Sequence, residues 1–326
     1  MEKIEQSRNV LIIGGGPAGM SCALWLKNYG LNPIIVEKRS ILGGLQARSP
    51  ASNTWLLGWQ AVLGKDVAAT FAKHIAYERI QVFLESTVEE ISRISENRWH
   101  VCIQRGNVDA RIEVSSIVFA NGTDFVDSSW RKAVPGSEEC SDLIYSGPPA
   151  YMKSDSWFGS HPVVIGGGDN AIECAYTLSC RGSHPIVLVR SESLRASDET
   201  MKRKFFDKVD KKLIDLRVNT SVNKMTRNNE TVKLFNSDQS EIETTAVLLM
   251  IGYETNTNFK FDLPLLIDDN KYILINKRCE TNIPSVYAIG DIANPENPCV
   301  ATAVAMGTIA ARAINNMLNE NWPITS

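Results

Sequence analysis

Two runs of consecutive apolar residues, each followed by glycines and then a helical pattern, stand out along the chain. The first run, residues 10–13 (VLII), predicts a buried parallel strand because no polar residue alternates with the apolar ones. Residues 20–29 carry apolar side chains at helical spacing and stop at Gly30, and residues 33–36 predict a second strand. This segment therefore predicts a complete strand–helix–strand unit.

The same pattern returns in the middle of the chain. Residues 162–165 predict a strand, residues 172–180 a helix, and residues 186–189 the next strand. Elsewhere the pattern predicts helices over 65–78 and 301–318, strands within 81–104, 112–120, 231–251 and 286–289, and a Gly-, Pro- and Ser-rich linker over 136–158. Strands that alternate with helices in this way predict an α/β fold with parallel sheets.

Composition and charge exclude several classes of protein. The chain has 326 residues, which suggests two domains at about 150 residues each. Its 34 basic and 37 acidic residues give no basic excess for nucleic acid, and its longest apolar runs are far shorter than the roughly 18 residues of a membrane helix. The charged N-terminus lacks the features of a signal peptide. Seven cysteines without a CxxC pair argue against a disulfide framework and a zinc site, and predict a cytoplasmic protein with reduced thiols.

The first glycine turn reads GGGPAG over residues 14–19, a GxGxxG motif between a strand and a helix. Glycine lacks the Cβ atom that would keep a pyrophosphate away from the backbone amides, and a helix N-terminus attracts negative charge. Glu37 ends the second strand, where a carboxylate accepts hydrogen bonds from ribose hydroxyls. These features together predict a dinucleotide site.

The second glycine turn, GGGDNA over residues 166–171, differs at the position that matches Glu37. Val189 stands there, followed by Arg190 and, shortly after, Arg195. A carboxylate would repel a 2′-phosphate, whereas arginines bind one through charge-assisted hydrogen bonds. The second site is therefore predicted to prefer NADPH; the alternative is that Arg190 is a solvated surface charge and that NADH is used.

A third motif, YAIGD over residues 287–291, places Asp291 just after a predicted strand. With the two glycine motifs in this order, the chain resembles the two-dinucleotide-domain flavoproteins, in particular their thioredoxin-reductase-like branch. The resemblance implies an α/β fold with two Rossmann-like domains and the cofactors FAD and NADPH. It also implies an FAD domain made of residues 1–122 and 253–326, an inserted NAD(P)H domain over 123–252, and a homodimer.

The resemblance further implies cofactor contacts at matching positions. Glu37 would hold the adenosine ribose, Asp291 the ribitol and flavin, and the backbone at Val88 the adenine, while residues 43–46 (GGLQ) and 119–122 (FANG) resemble flavin-domain segments. The implied FAD-domain positions are Gly14, Gly16, Pro17, Ala18, Gly19, Glu37, Lys38, Gly44, Gln46, Val88, Ala120, Gly122, Gly290, Asp291 and Ala301. The implied NAD(P)H-domain positions are Gly166, Gly168, Asp169, Asn170, Glu173, Arg190 and Arg195. No side chain is assigned as catalytic, because the chemistry is centred on the flavin.

The departures from the family are as informative as the matches. Residues 145–150 read YSGPPA where thioredoxin reductases carry a redox CxxC, Ser191 replaces an arginine, and Pro298-Cys299 replaces an arginine-glutamine pair. Without a dithiol, electrons must pass from the flavin directly to an acceptor. In this respect the chain resembles the ferredoxin/flavodoxin–NADP reductases of this fold. The predicted partner is a redox protein of that type or a small molecule. Trp322 is either an aromatic cover for the flavin, as in those reductases, or an ordinary surface tryptophan.

Two other functions stay open from the sequence. In the first alternative, the protein is a disulfide or small-substrate oxidoreductase that uses a single cysteine, with Cys22, Cys140, Cys174 and Cys180 as the candidates. In the second alternative, which the altered flavin segments suggest, the chain binds FAD without NAD(P)H turnover. Thiol alkylation separates the first alternative from direct transfer, and anaerobic mixing with NADPH separates the second.

Overall fold

A computed structural model describes residues 8–53, 55–149, 157, 159–257, 259 and 263–320 of the chain, so Trp322 lies outside the described residues. The chain forms two compact units: unit 1 is Met1–Asp124 with Thr255–Ser326, and unit 2 is Phe125–Glu254. The domain boundaries drawn from the family resemblance stay a prediction.

The elements of unit 1 before the chain enters unit 2 are β1 (Asn9–Ile13), α1 (Pro17–Asn28), β2 (Asn32–Val36), β3 (Ser52–Asn53), β4 (Val62–Leu63), α2 (Gly64–Tyr77), β5 (Gln81–Phe83), β6 (Thr87–Ser95), β7 (Arg98–Arg105), β8 (Val108–Val114) and β9 (Ser116–Phe119). The elements from there to the end of unit 2 are β10 (Thr123–Phe125), α3 (Ser128–Ala133), β11 (Ile144–Ser146), β12 (Val163–Ile165), α4 (Asp169–Cys180), β13 (Ile186–Leu188), α5 (Glu199–Asp210), β14 (Asp215–Arg217), β15 (Val222–Asn228), β16 (Thr231–Asn236), β17 (Glu241–Thr244), β18 (Val247–Leu249) and β19 (Tyr253–Thr255). Unit 1 is completed by β20 (Val286–Ala288) and α6 (Val300–Glu320).

The central sheet of unit 1 is parallel, in the order β20-β9-β1-β2-β5. Successive residues of a strand point to opposite faces of its sheet. Along β1, Val10 and Ile12 pack with α1 and α6, whereas Leu11 packs with residues of the antiparallel sheet β6-β7-β8. Because both faces are covered, the strand is continuously apolar, as the sequence predicts.

Unit 2 repeats this plan with its own core. Its parallel sheet has the order β11-β18-β12-β13-β14, and β15-β16-β17 form a separate antiparallel sheet. One hydrophobic cluster contains Ile172 of α4 and Phe205 of α5, and another contains Val163 of β12 and Leu234 of β16. The two parallel sheets confirm the predicted fold class, a mixed α/β fold with two Rossmann-like domains.

Two local predictions need correction, and one helix was not predicted. The predicted linker over 136–158 contains β11, whose three residues pair in parallel with β18. The predicted strand over 112–120 is two strands, β8 and β9, separated at Ser115. Helix α5 was missed, although Asp198 caps it by accepting hydrogen bonds from the backbone N–H groups of Thr200 and Met201. That cap was readable from the sequence, but the charged residues of α5 obscure its apolar stripe.

Candidate functional site

The first glycine loop begins with two very close backbone approaches. Gly14 has a φ of +113°, and a Cβ atom there would lie 2.4 Å from the carbonyl oxygen of Ala120. A Cβ atom at Gly19 would lie 2.1 Å from the carbonyl oxygen of Gly14. Helix α1 can therefore start directly against the end of β1 only because both positions are glycine.

The loop then opens at the N-terminus of α1. Gly16 precedes the helix, Pro17 is its first residue, and no side chain in the described part of the chain caps it. A Cβ atom at Gly16 would have Gly44 Cα, at 4.0 Å, as its only near neighbour among the described atoms. The backbone N–H of Gly43 donates to the carbonyl of Gly15 at 2.8 Å, which brings the GGLQ segment beside the loop. An uncapped helix N-terminus facing open space fits a pyrophosphate.

Glu37 is 5% exposed and holds the glycine loop against the end of β2. Its Oε2 accepts a hydrogen bond from the backbone N–H of Gly15, and its Oε1 accepts one from that of Arg39, each at 2.8 Å. The carbonyl of Glu37 accepts from the N–H of Ser86, so the start of β6, with Val88, also reaches this point. Each oxygen of the Glu37 carboxylate can accept a further hydrogen bond from a ligand.

Asp291 lies at the carboxyl end of β20, next to α1. Gly290 has a φ of +73°, and a Cβ atom there would lie 2.8 Å from the Cβ of Ala18. Asp291 itself has no hydrogen-bond or ion-pair partner among the residues that the structure describes, and burial raises its pKa to about 6. A partly buried carboxylate without a protein partner fits a site that receives a ligand hydroxyl group.

The other positions predicted in unit 1 follow the carboxyl ends of the sheet strands or lie on neighbouring segments. Gln46 starts a short 3-10 turn, and its Nε2 would lie 2.8 Å from a Cβ atom at Gly64. Gly122 has a φ of +58° and open space around it in the described structure. Ala301 is exposed in the first turn of α6, and Lys38 is exposed after β2. The structure thus gathers the predicted residues at one end of the parallel sheet.

The glycine loop of unit 2 has the same construction. Gly166 has a φ of +142°, and a Cβ atom there would lie 2.2 Å from the carbonyl oxygen of Met250. A Cβ atom at Gly167 would lie 2.9 Å from Val189, whereas one at Gly168 would meet no described atom within 4 Å. The last glycine before α4 therefore faces open space, as Gly16 does in unit 1.

Asp169, the first residue of α4, ties the loop after β13 to the glycine turn. Its carboxylate accepts hydrogen bonds from the N–H and hydroxyl of Ser197 and from the N–H of Asp198, at 2.7–2.9 Å. The N–H of Arg195 also donates to the carbonyl of Gly167, at 2.7 Å. The sequence suggested a ligand contact at Asp169, and the structure shows these contacts within the protein.

Two cations and one carboxylate stand around this loop. The side chains of Arg190 and Arg195 are exposed, and neither has a hydrogen bond or ion pair within the described part of the chain. The pKa of Glu173 is raised, first by burial and then by the negative charges of Asp198 and Asp169. Asn170 donates to the hydroxyl of Tyr253 at 2.9 Å, a contact that no motif in the sequence indicates.

The strand end where a dithiol would be expected carries no thiol. The Ser146 hydroxyl donates to Asp127, and a Cβ atom at Gly147 would lie 2.2 Å from the ring of Phe125. Cys140, the cysteine nearest in sequence, is buried, and burial raises its pKa. The pKa values of Cys22, Cys174 and Cys279 are likewise raised by burial, so these thiols resist ionisation.

Two parallel sheets, each with a glycine loop leading into an uncapped helix, define a protein with two dinucleotide-binding domains. The chain belongs to the pyridine nucleotide-disulphide oxidoreductase family, whose model matches residues 8–307. This membership confirms the predicted enzyme class, an NAD(P)H-dependent flavoprotein oxidoreductase, and the predicted cofactors, FAD and a nicotinamide dinucleotide.

Individual relatives cover nearly the whole chain. A ferredoxin–NADP reductase of Ligilactobacillus salivarius is 28% identical over 325 residues, which is 97% of this chain and 92% of the relative. A thioredoxin reductase of Bacillus subtilis is 25% identical over 324 residues, covering 97% of this chain and 96% of the relative. The crystal structure of Lactococcus lactis thioredoxin reductase matches with a TM-score of 0.81 at 22% identity, over 96% of this chain and 99% of that one. The structural likeness shows the shared fold.

Among the residues that the structure describes, no helix is both long enough and apolar enough to cross a bilayer. No group of three His, Cys, Asp or Glu side chains within the same residues is placed to hold a metal ion.

Proposed function

We propose that this enzyme takes reducing equivalents from NADPH and passes them from FAD directly to an acceptor, without a protein dithiol. When bound, FAD accepts a hydride and can release electrons singly or in pairs. The observation that carries the proposal is the end of β11, where Gly147 packs against Phe125 and the neighbouring side chains are Tyr145, Ser146 and two prolines. None of these can relay electrons through a disulfide.

The chain's own residues would hold the two cofactors as follows. The open N-terminus of α1 would receive the FAD pyrophosphate, Glu37 the adenosine ribose, and Asp291 the ribitol and flavin. The N-terminus of α4 would receive the NADPH pyrophosphate, with Arg190 and Arg195 around the 2′-phosphate. The unpaired state of both arginines supports NADPH over NADH, because a 2′-phosphate would supply their missing partner.

The acceptor we propose is a ferredoxin- or flavodoxin-type electron carrier. The relatives named ferredoxin–NADP reductase support this choice, and so does the lack of a dithiol for thioredoxin. A cytoplasmic location remains a prediction from the cysteine content and the N-terminal sequence, and a homodimer remains a prediction from the resemblance.

The decisive experiment is anaerobic mixing of the FAD-loaded protein with NADPH and, separately, with NADH. We expect rapid loss of the yellow flavin absorbance with NADPH, followed by reoxidation with flavodoxin, ferredoxin or ferricyanide but not with oxidised thioredoxin. The same turnover after alkylation of accessible thiols would support direct transfer. Persistence of the flavin absorbance would show a flavin-binding protein without turnover, and fast reduction of thioredoxin would refute the proposal.

A further inference from the structure

A short hairpin in unit 1 presents large apolar side chains to solvent. Strands β3 and β4 pair through Ser52–Leu63 and Asn53–Val62, and the loop between them carries Trp55, which is 78% exposed, and Leu57, which is 99% exposed. Ile41, on the segment just before the hairpin, is 55% exposed. A tryptophan and two aliphatic side chains are thus exposed within residues 41–57, and exposed apolar groups of this kind can mark a protein-binding surface.

The loop that carries these side chains is held in a defined conformation. The Oδ1 of Asn53 accepts hydrogen bonds from the N–H groups of Trp55 and Leu56, at 3.1 and 3.0 Å. The ring of Trp59 packs edge-on against Phe71 of α2, with the ring centroids 6.1 Å apart. These contacts place the backbone of Trp55 and Leu56 against Asn53 and the ring of Trp59 against α2.

The surroundings of the hairpin are positively charged, although the whole chain carries a net charge of −3. Between Glu37 and Asp66 the sequence contains no acidic residue, and its four basic residues are Lys38, Arg39, Arg48 and Lys65. Both arginines pair with one carboxylate, that of Asp124, at 2.8 and 2.6 Å. Lys38 and Lys65 are exposed. Within residues 38–65, four basic side chains thus stand against the one carboxylate of Asp124 that pairs with two of them.

The base of the hairpin adjoins the first glycine loop. The N–H groups of Gly64 and Lys65 donate to the carbonyls of Ala51 and Ser49, and a Cβ atom at Gly64 would lie 2.8 Å from Gln46. Gln46 belongs to the GGLQ segment that is bonded to the glycine loop. Beside the GGLQ segment lies an open cleft of about 340 Å³, whose lining includes Arg39, Ile41, Gly44 and Arg48.

We infer that the side chains of Ile41, Arg48, Trp55, Leu57 and Lys65, named here the hairpin surface, form the docking site for an acidic electron-carrier protein. Apolar anchors surrounded by positive charge match a partner that presents apolar side chains within a ring of carboxylates. A carrier that takes electrons from the flavin must dock close to it, and this surface adjoins the proposed FAD site. The inference thus rests on the proposed function and names where its acceptor binds.

A second basic surface in unit 2 provides the matched control. Helix α5 and its neighbour Tyr176 form an open groove of about 480 Å³ lined by Arg203, Lys204 and Lys208. Like Lys65, Lys204 is exposed. If an acidic protein were attracted to any exposed cation, charge reversal at Lys65 and at Lys204 would weaken its binding equally. Docking at the hairpin surface predicts weaker binding for the Lys65 variant alone.

The test compares four variants of the full FAD-loaded chain. They are the double variant W55S/L57S, Lys65→Glu, the charge control Lys204→Glu, and the apolar control Leu266→Ser, whose side chain is 56% exposed elsewhere in unit 1. Three properties are measured for each: binding to immobilised acidic flavodoxin at low and high salt, NADPH-driven reduction of that flavodoxin, and NADPH-driven reduction of ferricyanide. We expect both W55S/L57S and Lys65→Glu to weaken flavodoxin binding and to raise the KM for flavodoxin at least tenfold. Ferricyanide reduction by these two variants should stay unchanged. The two control variants should match wild type in all three measurements. High salt should weaken wild-type binding and have less effect on Lys65→Glu.

Several results would overturn the inference. Unchanged flavodoxin binding in W55S/L57S would do so, as would an equal loss in Lys204→Glu. Loss of a dimer in W55S/L57S with flavodoxin binding retained would show that a second copy covers the surface. If vesicles of anionic phospholipid bind wild type but not W55S/L57S, and the variant still binds flavodoxin, the hairpin surface binds a membrane instead. If wild type fails to reduce even ferricyanide, the proposed function fails, and the binding measurement still decides the docking site separately.

Discussion

Glu37 and Asp291 are carboxylates of the same candidate site with opposite surroundings. Glu37 is almost fully buried, and two backbone N–H groups compensate its charge. Asp291 has no such partner in the described structure, and burial alone raises its pKa to about 6 from an ordinary 3.8. Glu37 therefore shapes the loop before a ligand arrives, whereas both carboxylate oxygens of Asp291 are free of protein donors in the described structure and available to a ligand.

The raised pKa of Asp291 predicts how the stability of the FAD-free protein depends on pH. Because its pKa is higher in the folded than in the unfolded state, its stabilising contribution is complete below about pH 4 and is lost as the pH rises through about 6. Asp291→Asn removes this titration. We expect the FAD-free variant to match wild type near pH 4 and to be more stable at pH 7 by up to about 3 kcal/mol. Urea unfolding across this range measures the difference, with Asp269→Asn as control; a pH-independent difference would contradict the prediction.

Arg190 supports a prediction about coenzyme choice. Its exposed guanidinium has no ion pair within the described residues, so its removal should matter only when a 2′-phosphate is present. We expect Arg190→Ala to raise the KM for NADPH about tenfold or more and to leave that for NADH nearly unchanged. Steady-state kinetics with ferricyanide measure both values, and Arg203→Ala on α5 serves as the control. Equal changes for the two coenzymes would favour the alternative that Arg190 is a solvated charge.

At the scale of elements, the contact between α1 and α6 positions the flavin-side residues. A Cβ atom at Gly307 of α6 would lie 2.6 Å from the carbonyl oxygen of Ala18 and 2.8 Å from the backbone nitrogen of Cys22. The Ser21 hydroxyl also donates to the carbonyl of Val304 at 2.8 Å. Ala18 is the residue that Gly290 approaches, so the same close packing sets the position of Asp291 relative to α1.

Gly307→Ala is therefore expected to destabilise the protein. An alanine inside a helix ordinarily stabilises it by about 1 kcal/mol relative to glycine. Here the added methyl group meets backbone atoms that cannot move independently, and we expect a net loss of about 1–3 kcal/mol with reduced FAD retention. Thermal unfolding and the ratio of flavin to protein absorbance measure both effects. Asn316→Ala, on the exposed side of α6, should be neutral or stabilising; a stabilising Gly307→Ala would show that the helices separate easily.

At the scale of the whole molecule, unit 2 is continuous in sequence and unit 1 is not. The parallel sheet of unit 2 and both of its hydrophobic clusters lie within Phe125–Glu254. The parallel sheet of unit 1, in contrast, takes its outer strand β20 from near the end of the chain, together with the long helix α6. The two units therefore differ in what each needs in order to fold.

The segment 125–254 produced alone should fold cooperatively and bind NADPH without FAD. The segment 1–124 alone should not, because it lacks β20 and the α6 side chains that complete its core. Circular dichroism during urea unfolding and the fluorescence of bound NADPH measure these outcomes. The result also tests the domain boundaries, which remain a prediction. A folded, FAD-binding segment 1–124 would contradict this view of the fold.

Much of the architecture was readable from local patterns. A continuously apolar strand, a GxGxxG turn and a helix form a unit whose parts depend on neighbours in sequence, and both copies of this unit are present as predicted. The acid after β2 and the arginines after β13 were readable for the same reason. The missed helix α5 shows the limit, since its burial involves mainly one fully buried residue, Phe205. A sequence dominated by charges gives little indication of a helix that is held by so narrow a contact.

Long-range contacts were beyond the reach of any local pattern. Sequence motifs indicated that Asp291 belonged to a site, but only the folded chain shows that it lacks a partner and lies beside Ala18. Likewise, the motif named Asp169, and the structure shows it bonded to Ser197 and Asp198. Spacing within a motif reflects the geometry of a single turn, whose residues are neighbours in sequence. Burial and partnership depend on residues that are distant in sequence, so they exist only once those residues have packed together.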